Sequence, residues 1–186
     1  MSRKYKDQFE IKTLKTQNGL KKTAVYQGKY YTAAVPDEKL NRYKAALKGA
    51  SLTMALIFIG MGFINNDGSR VFYCILPYAV LFLPVFYMLL SSIAFGRKKN
   101  ELTVPEYDKT VVRIRTSAIA AFIVAIAGAT GAMFFVLSGK GNTPGQEIVF
   151  IIGYVAIALC AFFSMQIHKK VQYEQVDNKG CETTED

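Results

Sequence analysis

Charged side chains are missing from four long stretches of this sequence. The stretches cover residues 49–66, 71–96, 116–139 and 148–167, and they are 18, 26, 24 and 20 residues long. A helix of about 20 apolar residues crosses the roughly 30 Å hydrocarbon layer of a bilayer. Four consecutive uncharged helices are not expected in one small soluble domain. The sequence therefore predicts an all-α, polytopic membrane protein, a bundle of four transmembrane helices arranged as two hairpins.

The transmembrane domain is predicted over residues 35–170. Its spans are predicted at about 44–65, 71–96, 116–138 and 146–167. The first span reaches full length by including Lys44 and Lys48, whose side chains are expected to extend to the headgroups. The first forty residues contain no apolar run of the kind that a cleavable signal peptide needs. We therefore expect the first span to serve as the targeting signal.

Groups able to do ionic or catalytic chemistry are scarce as well. The charge-free stretches contain no ionisable side chain to bind a coupled proton or sodium ion, which disfavours an ion-coupled transporter. The only histidine, His168, is expected to be an interfacial residue at a helix C-terminus. Cys74, Cys160 and Cys181 have no metal-ligand spacing, and no phosphate-binding or hydrolase motif occurs. The sequence predicts no catalytic residue, no cofactor and no metal.

Lysine and arginine are distributed unevenly. Residues 1–48 hold twelve of the 23, residues 97–115 hold six, and the segment from Lys169 holds three, whereas two short connections hold only Arg70 and Lys140. Because basic loops stay on the cytoplasmic side, both termini are predicted to be cytoplasmic, in a multi-pass protein of the cell (plasma) membrane. The residues expected to orient the chain and to contact an anionic inner leaflet are Arg97, Lys98, Lys99, Arg113, Arg115, Lys169 and Lys170.

The net charge of +9 has a second interpretation, nucleic-acid binding. No RNA- or DNA-binding motif accompanies the basic residues, and an anionic leaflet attracts them at about 1 kcal/mol each. The bilayer is therefore the preferred partner, and no nucleic acid is expected.

The two ends of the chain are polar. Residues 1–34 contain β-prone runs separated by Gln17-Asn18-Gly19 and Gln27-Gly28, which predicts a small β-hairpin or meander in a basic cytoplasmic segment. Residues 171–186 are polar and of mixed charge, and they are predicted to form a flexible cytoplasmic tail.

Small residues recur at helical spacing in the third and fourth spans. In lipid, close approach over such residues holds helices together, so these two spans are predicted to pack as a hairpin. The same stripe can serve as a dimer face. The residues are Ala118, Ala121, Ala125, Gly128 and Ala132 in the third span, with Gly153, Ala156, Cys160 and Ser164 in the fourth.

Two prolines, Pro77 and Pro84, lie seven residues apart in the second span. Each removes a hydrogen bond to the carbonyl one turn earlier, so both are candidate hinge positions, although a packing role is the commoner explanation. A weak repeat is also present, because Val35-Pro36-Asp37 and Val104-Pro105-Glu106 each precede a predicted hairpin. Duplication and convergence of two basic-ended hairpins both explain it.

The scarcity of chemical groups favours a non-catalytic function. We expect an accessory or scaffold subunit of a membrane complex, bound to another membrane protein or to itself. The alternative is a small passive or lipid-handling transporter acting as a homo-oligomer, which requires a cavity between the hairpins. An enzyme acting at the cytoplasmic interface is the third hypothesis.

Overall fold

The computed structural model describes residues 9–16, 19–26, 28–98, 100–139 and 144–176, and four long helices dominate it. They are α1 (Asp37–Met61), α2 (Phe72–Gly96), α3 (Val104–Leu137) and α4 (Pro144–Lys170). Each helix is long and apolar enough to cross a membrane, which confirms the predicted bundle of four apolar helices. α1 begins before the span predicted at 44–65 and also ends before it does. It ends at Met61 because the chain continues in tight turns from Gly62.

The starts of α1 and α3 follow from their local sequence. Pro36 precedes α1, and acidic residues in the first turn complement the positive end of the helix dipole. α3 starts with a capping box in which the side chains of Thr103 and Glu106 each accept a backbone N–H of the other residue. A π-helical segment, Asp108–Val112, interrupts the first part of α3.

The helices form a ring in which each one packs mainly against its neighbours in sequence, and α4 also packs against α1. Fully buried side chains from all four helices fill the centre of this ring. They are Met54, Leu81, Val85, Met88, Ala121, Ala125, Ile157 and Ala161. The outward faces carry exposed apolar side chains, among them Leu56, Leu83, Ile123 and Leu159.

The described residues also form five short strands. β1 (Phe9–Thr16) and β2 (Gly19–Tyr26) form an antiparallel hairpin, as expected for residues 1–34, while the turn residues 17–18 lie outside the described part of the chain. β3 (Tyr30–Ala33) does not continue this hairpin into a meander among the described residues. It is the central strand of a second sheet, between β4 (Glu101–Thr103) and β5 (Tyr173–Val176), and both pairings are antiparallel.

The second sheet corrects two predicted boundaries. Residues 1–34 are not a separate segment, because β3 pairs with strands from the middle and from the end of the chain. The predicted flexible tail 171–186 begins with an ordered strand, since β5 hydrogen-bonds to β3. The rest of that tail lies outside the described residues. The sequence could not predict this sheet, because hydrogen bonds between the backbones of distant strands produce no local pattern in a polar sequence.

One pairing in this sheet relates the two halves of the chain. Thr32 pairs with Glu101, and the two residues are 69 positions apart, as are Pro36 and Pro105. When a residue faces its own counterpart in an antiparallel pair, a local two-fold axis passes between the strands. This is the geometry expected of two strand–hairpin units repeated about an axis along the bundle.

Candidate functional site

The chain closes the two ends of the bundle in different ways. The basic end includes the described residues 28–40, 97–98, 100–115 and 168–176, and it contains the three-stranded sheet. The turn end includes the described residues 62–71, 138–139 and 144–147. Most of the charged and hydrogen-bonding side chains discussed below lie at one of these ends.

Aromatic rings attach the sheet to the bundle. The Tyr107 ring of α3 stacks on Tyr31 of β3 with centroids 4.0 Å apart, and Tyr173 of β5 meets Tyr107 edge-on at 5.2 Å. Burial, and then the neighbouring Tyr107, raise the pKa of the Tyr173 hydroxyl. Gln175 donates from Nε2 to the Tyr31 hydroxyl oxygen at 2.6 Å, and Leu102 of β4 is 1% exposed. The sheet is therefore packed onto the bundle.

One lysine of the bundle points inward. The headgroup contact expected for Lys44 is wrong, because this side chain is only 6% exposed. Its Nζ donates to the Lys98 carbonyl oxygen at 2.8 Å and lies 5.2 Å from the centre of the Phe95 ring. A carbonyl beyond a helix C-terminus and the face of an aromatic ring both favour a cation. Lys44 thus joins α1 to the end of α2.

His168 has a comparable structural contact. Its Nε2 lies 3.2 Å from the carbonyl oxygen of Val111, in the π-helical segment of α3. The tautomer with a proton on Nε2 donates to this carbonyl, which links the end of α4 to α3.

A groove of about 490 Å³ lies between α2 and α3 at the basic end. The groove is lined by Leu90, Ser91, Ala94, Lys98, Glu106, Lys109, Thr110 and Arg113. Lys98 forms an ion pair with Glu106 across it. The Arg113 guanidinium lies 5.4 Å from the centre of the Tyr87 ring on α2.

The residues predicted to orient the chain lie at the basic end. Arg97 and Lys98 follow α2, Arg113 and Arg115 lie in α3, and all four are exposed. Lys169 and Lys170 are exposed in the last turn of α4, and Lys99 lies outside the described residues. The structure brings Lys98 and Arg113 into one groove, and the exposed Lys109, which the prediction omitted, lines it too.

The turn end is organised around one buried carboxylate, which the sequence analysis missed. Glu147 of α4 is 1% exposed. Its Oε1 accepts the backbone N–H of Gly68 at 2.6 Å, and its Oε2 accepts Nδ2 of Asn66 at 2.8 Å. The span predicted at 146–167 thus carries a buried acid in its first turn. Glu147 lies directly before a charge-free stretch, and this position was the sequence feature that could have indicated its burial.

Further from the turn end, Gly128 of α3 packs directly against the side chain of Tyr154 of α4. A Cβ atom at Gly128 would overlap the ring of Tyr154. The Tyr154 side chain crosses the bundle, and its hydroxyl donates to the Cys74 carbonyl oxygen of α2 at 3.2 Å. The five small residues predicted in the third span are all buried: Ala118, Ala121, Ala125, Gly128 and Ala132.

The small-residue face predicted in the fourth span is only partly right. Gly153 and Ser164 are buried, but Ala156 and Cys160 are only partly buried. The rest of the buried face consists of Glu147, Phe150, Tyr154, Ile157, Ala158, Ala161 and Ile167. Gly153 also faces α1 rather than α3, since a Cβ atom there would lie 2.6 Å from atoms of Met61. The spacing could not reveal that a tyrosine fills the space opposite Gly128.

Both candidate hinge prolines lie inside α2, which continues without a break from Phe72 to Gly96. Pro84 is buried and Pro77 is half-buried. Pro77 leaves the Tyr73 carbonyl without its helical donor, and a Cβ atom at Gly131 of α3 would lie 2.9 Å from that oxygen. The proline and the glycine therefore belong to one close helix contact, and Gly131 was missing from the predicted set.

Among the residues that the structure describes, no group of three or more His, Cys, Asp or Glu side chains is placed to hold a metal ion. Comparison with known proteins finds no matching family model, no matching curated protein and no matching solved structure.

Proposed function

We propose that this chain is a non-catalytic membrane protein that serves as an accessory or scaffold subunit of a membrane complex. In this proposal both termini and the basic end lie in the cytoplasm, at the plasma membrane, against an anionic inner leaflet. The distribution of basic residues supports the orientation. The exposed apolar faces of the helices are suited to lipid and to a second membrane protein.

The observation that carries the proposal is the sheet at the basic end. It is assembled from three distant parts of the chain and is fixed to the bundle through Tyr107. Its free surface includes the exposed side chains of Glu101, Glu174 and Val176. An ordered surface of this kind, attached to a membrane bundle, suits the docking of a partner protein.

The filled centre of the bundle supports a non-transporting role. The side chains at the centre have no exposed surface, so the described residues offer no path for a solute between the hairpins. The alternative of a passive or lipid-handling transporter would have to use the outer surface of the bundle or an interface between copies.

The test is affinity purification in a mild detergent, with mass spectrometry of the proteins that accompany the chain. We expect a stoichiometric membrane partner. The Tyr107→Ala variant, which loses the ring contacts of the bundle with Tyr31 and Tyr173 and loosens β5, should bind the partner more weakly while the helical bundle is retained in circular dichroism. Tyr107→Phe keeps the ring contacts and should keep the partner.

Two outcomes contradict the proposal. A monomer without any accompanying protein argues against a subunit. A clean homo-oligomer that carries lipid or solute across liposomes favours the transporter instead.

A further inference from the structure

We propose that the groove between α2 and α3 at the basic end is a binding site for the phosphate headgroup of an anionic membrane lipid. This site goes beyond the proposed scaffold function and rests on it only for the position of the basic end at the membrane surface.

The charge of the groove favours an anion. Lys98, Lys109 and Arg113 line it, and the only acid among its lining residues is Glu106. Glu106 is already paired with Lys98. Within the described part of the chain, neither Lys109 nor Arg113 has a carboxylate within ion-pair distance. Two cations therefore remain for a ligand, and a phosphate group accepts several charge-assisted hydrogen bonds from such residues.

A buried hydroxyl supplies a second, independent observation. Ser91 is 2% exposed, and its Oγ has no hydrogen-bond partner among the described residues. A serine inside a helix normally donates to a carbonyl one turn earlier, as Ser164 does here at 2.8 Å. A buried polar group without a partner is costly. Ser91 lines the groove, so rotation about its Cα–Cβ bond would let Oγ donate to a phosphate oxygen held there.

The surroundings of the groove favour a lipid over a free phosphate ion. Leu90 lines the groove and is 60% exposed, and Leu83 on the same helix is 57% exposed. A headgroup held by Lys109 and Arg113 can therefore extend its acyl chains along the apolar surface of α2. The Arg113 guanidinium is held over the Tyr87 ring, which limits the side-chain freedom that binding would otherwise remove.

The π-helical segment Asp108–Val112 lies within this wall of the groove. Such segments often occur at functional sites because they change the direction in which neighbouring side chains point. Here the segment contains Lys109 and Thr110, both of which line the groove. Thr110 is already satisfied, since its hydroxyl donates to the Glu106 carbonyl oxygen at 2.6 Å. Ser91 thus remains as the hydroxyl available to a ligand.

The experiment uses the full chain in phosphatidylcholine nanodiscs that contain phosphatidylglycerol, with native mass spectrometry to count retained anionic lipid and to titrate its affinity. We expect the double variant Lys109→Gln/Arg113→Gln to bind at least about tenfold more weakly. The matched control Lys169→Gln/Lys170→Gln removes the same charge from the same end outside the groove and should change the affinity less than about twofold. Ser91→Ala should weaken binding about threefold or more without lowering the lipid-free melting temperature.

Three outcomes would overturn the proposal. Equal weakening in the two double variants would mean diffuse attraction of lipid to a basic surface. Binding of inorganic phosphate as tight as that of phosphatidylglycerol would mean that the ligand is a free anion. Retention of full affinity in Lys109→Gln/Arg113→Gln would exclude the groove altogether.

Discussion

The turn end and the basic end of the bundle are closed by opposite means. At the turn end, one carboxylate, Glu147, accepts hydrogen bonds from Asn66 and Gly68 of the connection between α1 and α2. At the basic end, the closure consists of three paired strands, the contacts among three tyrosine rings and the hydrogen bond of the buried Lys44 ammonium. A closure concentrated in one residue should be sensitive to single substitutions. A closure distributed over many contacts should tolerate them.

The largest effect is expected in the half of the bundle nearest the turn end, at Gly128. Replacement by leucine places a side chain in the space occupied by the Tyr154 ring, so the free energy of unfolding should fall by roughly 3 kcal/mol or more. The midpoint of thermal unfolding in detergent measures this change. Gly60→Leu is the matched control, because a Cβ atom at Gly60 meets nothing within 4 Å. Equal midpoints for the two variants would refute the close contact.

The next effect tests whether one carboxylate closes the turn end. Glu147→Ala leaves the Asn66 amide and the Gly68 N–H without their buried acceptor, and should lower stability by roughly 2–3 kcal/mol. Glu147→Gln keeps one acceptor oxygen and should lose about half as much. Hydrogen exchange at the Gly68 amide gives a local readout. An amide that stays protected in Glu147→Ala would show that the carboxylate is not its partner.

The third effect tests the distributed closure of the basic end. Tyr107→Ala removes the ring between Tyr31 and Tyr173 and should cost only about 1–2 kcal/mol, because the strand pairing and Lys44 remain. Faster exchange of the β5 amides, with α4 amides unchanged, is the expected pattern. Tyr107→Phe should behave like the parent chain. Global unfolding of Tyr107→Ala would mean that the basic end also depends on one residue.

The smallest effect on stability, and the largest on orientation, concerns the basic residues predicted to orient the chain. Each neutralisation should change stability by less than about 0.5 kcal/mol. Neutralising all seven predicted residues should invert part of the population in the membrane. Labelling Cys181 from either side measures this fraction. Neutralising Arg70 and Lys140, on the predicted outer side, should leave the orientation unchanged, and inversion there would contradict the charge rule for this chain. The seven residues are Arg97, Lys98, Lys99, Arg113, Arg115, Lys169 and Lys170.

The four helices could be predicted from the sequence because each depends on a local property, the length of an uncharged apolar run. The three-stranded sheet could not. Tyr31 pairs with Leu102 and Gln175, which lie 71 and 144 positions further along the chain, and strands of three or four residues have no periodicity of their own. Propensity identified the β1–β2 hairpin because its pairing is local.

The candidate site was predictable in part for the same reason. Charge identified Lys98 and Arg113, since both lie beside a span. Charge could not show that Lys109 lines the same groove, or that Ser91 has no hydrogen-bond partner among the described residues, because those facts depend on how α2 and α3 pack. Glu147 was missed because an acid beside a predicted turn is normally solvent-exposed.

The central position of β3 has a consequence for how the protein is made. The strand is synthesised before any helix, yet its two neighbours follow only after the second helix and the fourth. Both neighbours reach it only if each hairpin returns the chain to the side from which it started. A hairpin inserted in the wrong direction would carry β4 or β5 to the opposite face of the bilayer. The small sheet can therefore be completed only when β3, β4 and β5 all lie at the same end of the bundle.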